Sequence, residues 1–295
     1  MKRNTELNAL IRLLDDTDKE VFSEIEKRLI EIGKEAIPEL EIAWGHSLDL
    51  IIQQRIENII HKIQLEQLTR DLKHWYDTDR ENLLQGALTV ARYQYPDLHE
   101  DKILKKIEKI KRDVWIELND NLTALEQVKV LNHVFFTIHG FCGNTQNYHA
   151  PQNSFINNVL ETKKGNPLTL ALLYSEIARS VGVPVYGVNL PEHFILVYKD
   201  ESDILPVTTA EHNPRMLFYI NPFSKGAVFG HQEINAFLKS LKLKPEKSFF
   251  EPCTNAEIIQ RMIRNLIYSF TKLGHDDKVE ELQGLLNAVE DKSTT

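Results

Sequence analysis

The chain has 295 residues, of which 42% are hydrophobic and 26% are charged. This length and apolar content are enough to bury a large core, so we expect a soluble globular protein with one large domain or two modest ones. The formal net charge of −8 argues against general nucleic-acid binding, because phosphate recognition needs a clustered basic surface.

The N-terminal residues do not resemble a secretion signal, since they contain no uninterrupted apolar region and no small-residue cleavage site. No stretch approaches the length of a membrane span. The two cysteines, Cys142 and Cys253, could form at most one disulfide, and free thiols are expected in a protein that is not secreted. We therefore predict a cytoplasmic protein that binds no membrane.

Residues 1–65 are predicted to form a helical module. Apolar residues recur at helical spacing, Thr17 to Glu20 has the pattern of a capping box for a second helix, and Gly33 is placed to end that helix. The segment that follows, EAIPELEIAW, and the long helix after it resemble the beginning of a HEAT-type repeat. One and a half such units do not make a solenoid, so we expect this module to pack on the rest of the chain.

A polar stretch, residues 66–81, is predicted to be a helix plus a connector. Three further helices are expected over residues 82–95, 101–118 and 122–139. The middle one is rich in lysine; this face could bind a partner or nucleic acid, but a solvated face of an amphipathic helix is the simpler interpretation in an acidic chain. A loop rich in Gly and Asn, residues 140–154, and a short helix, residues 155–162, come next, and such loops often surround functional sites.

The centre of the chain is the stretch from Gly165 to Tyr198. Asn166 is a favoured N-cap and Pro167 suits the first position of a helix, while Gly182 and Pro184 end that helix. Apolar residues cover most of its faces, so this helix should be buried. The segments 185–190 and 194–198 have the composition of two strands, and the corner between them carries His193.

After this hairpin, residues 204–208 and 216–220 are candidates for two more strands, and Ser224 to Gly230 is predicted to be a turn. Residues 232–241 should form a short helix. A capping box from Thr254 to Glu257 opens a final helix, Gly274 ends it, and a partner helix continues to about Ala288. This hairpin, within residues 251–295, resembles half of a tetratricopeptide (TPR) array, and the last five residues should be frayed.

A helix that begins beside a His-bearing hairpin resembles the core of papain-like and transglutaminase-like enzymes. In this chain the match consists of three motifs in the same order, FCGNTQNYHAPQNSFINNVLETKKGNPLTLALLY, VPVYGVNLPEHFILVY and YINPF. These motifs resemble a transglutaminase-like family of bacterial proteins of the regulator type, whose core also occurs in some F-box proteins. The resemblance implies an α+β fold, predominantly helical, with a transglutaminase-like core over residues 66–250 that includes the preceding helices.

The resemblance also implies positions for a catalytic triad. In active transglutaminases the nucleophilic Cys precedes the Gly of the helix stop by fifteen positions, and that place is Pro167 here. The His base corresponds to His193. The orienting Asp falls at or near Asn221, and an amide can also hold an imidazole. A proline cannot serve as a nucleophile.

Three hypotheses follow. In the first, the protein is a pseudoenzyme whose pocket, formed by Asn166, Pro167, Leu168, Glu192 and His193, binds a peptide or an anionic group at the helix N-terminus without turnover. In the second, a hydrolase or acyltransferase uses a displaced nucleophile, Cys142 or Thr169, with His193 as base. In the third, the protein is a scaffold and its histidine is a hydrogen-bonded core residue.

No metal site and no cofactor are predicted, because the histidines show no ligand-type pairing with one another or with cysteines. We expect a protein or peptide partner, neither nucleic acid nor membrane, and a catalytically degenerate binding or regulatory role. The helical flanks are candidates for docking that partner.

Overall fold

The structure is a computed structural model that describes residues 2–201 and 213–290. It divides the chain into two compact units, residues 1–73 and 74–295. The predicted strand at residues 204–208 and the predicted frayed tail lie outside the described residues. The three-part division into 1–65, 66–250 and 251–295 stays a prediction.

The N-terminal unit consists of helices packed around one apolar cluster. Its elements are α1 (Lys2–Arg12), α2 (Lys19–Ile32), a 3-10 turn (Gly33–Ala36), α3 (Ile37–His46) and the first part of α4 (Leu50–Thr78). The fully buried residues Leu29, Leu40 and Ile56 come from three different helices, as expected for one shared core. The HEAT-like assignment of this module stays a prediction.

One detail of this unit differs from the expectation. The N-cap of α2 is Asp18 and not Thr17, because the Asp18 carboxylate accepts the backbone N–H groups of Glu20 and Val21. The polar stretch 66–81 continues α4 to Thr78 and then leaves the helix in a turn that ends before residue 83, so it is a helix plus a connector, as predicted.

The second unit begins with helices that precede the core. They are α5 (Leu83–Ala91), α6 (Glu100–Glu117), α7 (Ala124–Asn132) with a π-helical turn (His133–Ile138), a 3-10 turn (Pro151–Ser154) and α8 (Ile156–Thr162). Short strands β1 (Cys142–Gly143) and β2 (Lys164–Gly165) pair in parallel on either side of α8. This pairing brings the Gly/Asn loop back to the start of the next helix.

That helix, α9 (Pro167–Ser180), is the buried centre of the unit. Every residue from Leu168 to Ser175 is buried, and α9 contacts two strands of the sheet as well as α6, α8 and α11 (Asn255–Leu273). The helix stops as expected at Gly182, which adopts φ 80° and allows the chain to turn back.

The sheet is a four-stranded antiparallel meander of β3 (Val185–Val188), β4 (Ile195–Lys199), β5 (Met216–Asn221) and β6 (Ala227–Phe229). Strand β6 corrects the expectation of a plain turn over residues 224–230. Its residues are mostly exposed at a sheet edge, so they lack the apolar alternation that predicts strands, and pairing with β5 determines their conformation.

The two faces of the sheet are covered by different helices. Val188, Ile195, Val197 and Tyr219 share one face and pack with α10 (His231–Ser240). Alternate residues such as Leu196 point to the opposite face, where α9 contacts β3 and β4. The result is an α+β fold, mostly helical, as the resemblance implied.

The C-terminal hairpin consists of α11 and α12 (Asp276–Ala288) and belongs to this second unit. The capping box at Thr254 and Glu257 is present, and Gly274 ends α11 in the left-handed conformation, as predicted. Helix α11 contacts α5, α9 and the 3-10 turn at Pro151–Ser154. The TPR-like assignment stays a prediction. Throughout the described residues, no helix is both long and apolar enough to span a membrane.

Candidate functional site

The start of α9 is held by a closed set of hydrogen bonds around Asn166. The Asn166 Oδ1 accepts the backbone N–H of Thr169 at 2.9 Å and the Thr169 hydroxyl at 3.2 Å. Its Nδ2 donates to the Ser154 hydroxyl at 2.9 Å. All three residues are buried, so the first turn of the helix is fixed in position before any ligand arrives.

A second set of amide contacts positions the loop in front of this helix start. Asn153 is buried, and its Nδ2 donates to the backbone carbonyls of Asn147 and Tyr148 at 2.7 and 3.0 Å. Asn144 donates through its side chain to Asn153 Oδ1 at 2.8 Å, and its backbone N–H donates to the carbonyl of Gly165. Asparagine side chains supply both donors and acceptors, which lets a few of them hold an irregular loop.

The hairpin corner places Glu192 and Phe194 beside the helix start. The backbone N–H of His193 donates to the Leu190 carbonyl at 3.1 Å, and Glu192 adopts φ 58°, a left-handed conformation uncommon for a residue with a Cβ. Phe194 is buried against β3, where a Cβ on Gly187 would lie 2.7 Å from the Phe194 ring. Glycine is therefore required there by the close approach of that ring.

Helix α11 contributes a third wall. Arg261, Asn265 and Tyr268 follow one another at spacings of four and three residues and share one face of the helix. The Arg261 Nη1 donates to Asn189 Oδ1 and to the Leu190 carbonyl, which anchors the guanidinium against the hairpin. Burial is the main cause that lowers the pKa of Arg261 from its ordinary value, although an arginine stays charged at neutral pH.

These walls enclose a cleft with a volume of about 540 Å³ at the N-terminal end of α9. Its lining comes from the Asn-held loop, the start of α9, the hairpin corner and α11, and comprises Tyr148, His149, Asn166, Pro167, Leu168, Glu192, Phe194, Arg261, Asn265 and Tyr268. It combines aromatic rings, a cation and amide groups, which is typical of sites that bind polar ligands with some apolar surface.

At the rim of the cleft, His149 lies between two tyrosines. Its ring centroid is 5.0 Å from that of Tyr148 and 5.2 Å from that of Tyr268, both in edge-on geometry. Tyr148 also contacts Phe223, with the two ring centroids 5.6 Å apart. The rim is therefore a surface of rings, with one imidazole able to donate or accept a hydrogen bond.

The structure brings together four of the five residues that the sequence predicted for the pocket. Asn166, Pro167, Leu168 and Glu192 all line the cleft. The fifth, His193, is exposed, and its ring stacks on Phe237 of α10 with centroids 4.7 Å apart.

Asn221, the predicted partner of His193, is occupied by its own backbone. Its Oδ1 accepts the N–H groups of Phe223 and Ser224 at 3.1 and 3.3 Å and caps a 3-10 turn (Pro222–Ser224). The assignment of His193 and Asn221 as a remnant dyad stays a prediction.

The two predicted substitutes for the nucleophile occupy different surroundings. The Thr169 hydroxyl is inaccessible to solvent and donates to Asn166 Oδ1, so it takes part in capping the helix. Cys142 is half-buried in β1, where its backbone N–H donates to the Lys163 carbonyl at 2.9 Å. Its role as a nucleophile stays a prediction.

Sequence reasoning missed the contribution of α11 and of the rings at the rim. The sequence predicted no role in the site for His149, Arg261, Asn265 or Tyr268. The spacing of the three α11 residues, four and three positions on one face, was visible in the sequence, but nothing local showed that this face lies opposite α9. Among the described residues, no group of three or more His, Cys, Asp or Glu is arranged to hold a metal ion.

A buried helix that starts at a cleft beside an antiparallel meander, with helices on both faces, defines a transglutaminase-like domain. Residues 101–264 match the family model described as the transglutaminase-like superfamily, and this segment is more than half of the chain. The chain therefore belongs to the transglutaminase-like superfamily, as the sequence motifs predicted.

The curated relatives include bacterial proteins and an F-box protein. A UPF0162 protein of Xylella fastidiosa strain 9a5c is 27% identical over 191 residues, covering 62% of this chain and 63% of the relative. One from strain Temecula1 is 33% identical over 124 residues, covering 42% and 44%. Human F-box only protein 21 is 23% identical over 255 residues, covering 78% of this chain and 39% of that protein. The chain thus spans less than two thirds of the length of these relatives. No solved structure matches the chain.

Proposed function

We propose that this chain is a catalytically degenerate transglutaminase-like protein that acts as a protein- or peptide-binding module with a regulatory role. The observation that carries the proposal is that Pro167, at the position that the resemblance implies for the nucleophile, lines the cleft at the start of α9. Proline has no hydroxyl, thiol or amine that could attack a carbonyl. The fold is that of an enzyme superfamily, whereas the reacting atom is missing from its place.

The surroundings of Pro167 support this proposal. The nearby hydroxyl of Thr169 is committed to Asn166, and attack by it would require breaking the cap of α9. The imidazole of His193 stacks on Phe237, while Glu192 and Phe194 on either side of it line the cleft. A general base must come within hydrogen-bond reach of the nucleophile. In this chain the Thr169 hydroxyl and the His193 imidazole each make a different interaction.

The cleft itself suits a segment of polypeptide. Its volume of about 540 Å³ exceeds what one small side chain fills, and its walls offer amide groups from Asn166 and Asn265 as well as the rings of Tyr148 and Tyr268. Tyrosines and arginines are enriched at peptide- and protein-binding surfaces because they combine apolar area with a polar end. The similarity to F-box only protein 21 also favours a protein partner.

Two assays on the full chain test the proposal together. In the first, the protein is incubated with a casein acceptor and a fluorescent primary amine, and with fluorogenic casein, to measure amine transfer and hydrolysis. We expect no turnover above that of a His193→Ala variant. In the second, the protein is panned against a displayed peptide library, and we expect enrichment of sequences that a Tyr268→Ala variant does not retain.

Turnover that is lost in His193→Ala would overturn the proposal and would support the displaced-nucleophile enzyme. A Cys142→Ser variant would then show whether that thiol carries the reaction, because serine keeps the size and removes the thiolate. Equal enrichment by the wild type and by Tyr268→Ala would argue that peptides bind elsewhere on the protein.

A further inference from the structure

The charged groups of the cleft are few and unequally placed. Among the lining residues that the structure describes, Arg261 is the one with a permanent positive charge, and Glu192 is the one with a negative charge. Glu192 is exposed at the hairpin corner, whereas the Arg261 guanidinium is pressed against the hairpin and largely withdrawn from water. The buried part of the cleft is therefore electropositive, and its outer edge is not.

Among the described residues, the hydrogen bonds of Arg261 go to neutral oxygens. Its Nη1 donates to the Asn189 amide oxygen and to the Leu190 carbonyl, and its guanidinium carbon lies 5.7 Å from the centroid of the Phe194 ring. A guanidinium has five donors, so the bonds made by Nη1 leave donors on the other two nitrogens. A desolvated cation with neutral partners gains from an anion that completes its hydrogen bonds.

Other donors converge on the same space. Leu168 is the second residue of α9, and the N–H groups of a helix's first turn have no intrahelical acceptor. Asn265 follows Arg261 by one turn of α11, and its amide lines the cleft as well. These groups line the same cleft as the guanidinium, which recognises a planar anion through two parallel hydrogen bonds.

We infer that the cleft recognises a peptide through a carboxylate that pairs with Arg261, with the flanking part of the peptide lying across the rings of Tyr148 and Tyr268. This inference rests on the proposed binding function and adds the chemical class of its ligand. The carboxylate comes from an acidic side chain or from the C-terminus of a partner chain. Both sources present the same planar, singly charged group.

A carboxylate fits the charges of the cleft better than a phosphate group does. One guanidinium neutralises a single negative charge, and Glu192 at the entrance repels a second. A phosphate group near neutral pH carries a charge of about −1.5 to −2 and usually binds to several cationic side chains. Phosphopeptide binding is thus a contrary outcome of the test.

The test uses four peptide pools with a blocked N-terminus and random neutral residues around one fixed central position. The first pool carries Glu at the centre and an amidated C-terminus, and the second carries Gln with the same end. The third carries Gln with a free C-terminal carboxylate, and the fourth carries phosphoserine with an amidated end. Binding of each pool to the full chain is measured by the fraction retained on immobilised protein, and it is compared with binding to Arg261→Gln and to a control.

The matched control is Arg264→Gln. Arg264 lies on the same helix one turn further on, is half exposed and pairs with Glu290 outside the cleft, so it reports the loss of one positive charge from α11. The thermal midpoint of each variant shows whether it is folded, and Arg261→Lys keeps the charge if the Gln variant does not fold. Lysine cannot reproduce the planar pair of hydrogen bonds, so the preference should weaken in it.

We expect the wild type to retain the Glu pool or the free-carboxylate pool about tenfold or more over the neutral pool, as the loss of charge-assisted hydrogen bonds predicts. That preference should disappear in Arg261→Gln and persist in Arg264→Gln. The pool that is favoured identifies the source of the carboxylate.

Equal retention of neutral and acidic pools would overturn the inference and leave the proposed binding function intact. A preference for phosphoserine over both carboxylate pools would overturn it as well. Retention of no pool, together with measurable turnover in the casein assays, would contradict the proposed function itself.

Discussion

Replacing Asn166 by alanine tests whether the amide network holds the start of the central helix. Asn166 is 7% exposed, and its side chain makes three hydrogen bonds, two accepted from Thr169 and one donated to Ser154. Alanine removes all three and leaves the hydroxyls of Thr169 and Ser154 without this partner. The variant should therefore destabilise the second unit without altering any apolar contact of the sheet.

The size of the effect follows from these contacts. Loss of an N-cap side chain costs about 1 kcal/mol. Thr169 and Ser154 are 0% and 1% exposed as residues, and a buried hydroxyl that loses its partner costs roughly 1 kcal/mol or more. We expect a total loss of about 3 kcal/mol in the free energy of unfolding. Asn166→Asp should lose about 1 kcal/mol or less, because its carboxylate still caps Thr169 and the Ser154 hydroxyl can turn to donate to it.

Urea unfolding followed by the fluorescence of Trp75, in a background where Trp44 and Trp115 are replaced by phenylalanine, measures this loss. Trp75 is 2% exposed, belongs to the second unit and donates to the Asn82 carbonyl, so its emission reports the unfolding of that unit. Asn121→Ala, at an exposed position, serves as the control and should change stability by less than about 0.5 kcal/mol. A loss below about 1 kcal/mol in Asn166→Ala, or equal losses in the Ala and Asp variants, would refute the role assigned to the network.

Three further outcomes are expected. Gly143→Ala should destabilise the second unit by about 1 to 3 kcal/mol, because the new Cβ would lie 2.6 Å from the Phe223 ring. Gly284→Ala has open space around its Cβ and should stabilise α12 by roughly 0.5 to 1 kcal/mol. The thermal midpoints of the two variants measure both effects. Burial raises the pKa of Cys253 to about 12, so alkylation at pH 8 followed by peptide mapping should label this thiol in urea and spare it in the native protein. Burial lowers the pKa of His139 despite its bond to a carboxylate, so the pKa from its NMR titration should lie below the ordinary value. The neutral form of His139 therefore contributes stability above the unfolded pKa of about 6.5. That contribution should be lost as the pH falls from there through the folded pKa. A native Cys253 that labels readily, or a His139 that titrates above its ordinary value, would contradict the burial seen at these sites.

Local sequence patterns were sufficient where a structure depends on neighbours in the chain. The Asn166-Pro167 start of α9, the Gly182 stop and the capping box at Thr254 are all present as predicted. Each is decided by hydrogen bonds or backbone angles within a few residues. The same reasoning misplaced the N-cap of α2 by one residue, because Thr17 and Asp18 are both good caps and only the backbone geometry selects Asp18.

Long-range pairing could not be predicted in the same way. Strand β6 has exposed residues and a weak strand pattern, and it exists because it pairs with β5. The cleft is a stronger example, since Arg261 lies about seventy residues beyond the hairpin to which it bonds. No periodicity in α11 indicates that its polar face meets the start of α9.

The sequence by itself determined the superfamily and the mostly helical α+β class, because motif order and local helix signals survive in one dimension. Tertiary structure alone decided which side chains face the cleft. It turned Glu192 and Phe194 toward the start of α9, placed the ring of His193 on Phe237, and brought Arg261 across from a distant helix. Side-chain direction at a turn and the packing of helices distant in the chain depend on the whole core, and no local pattern encodes them.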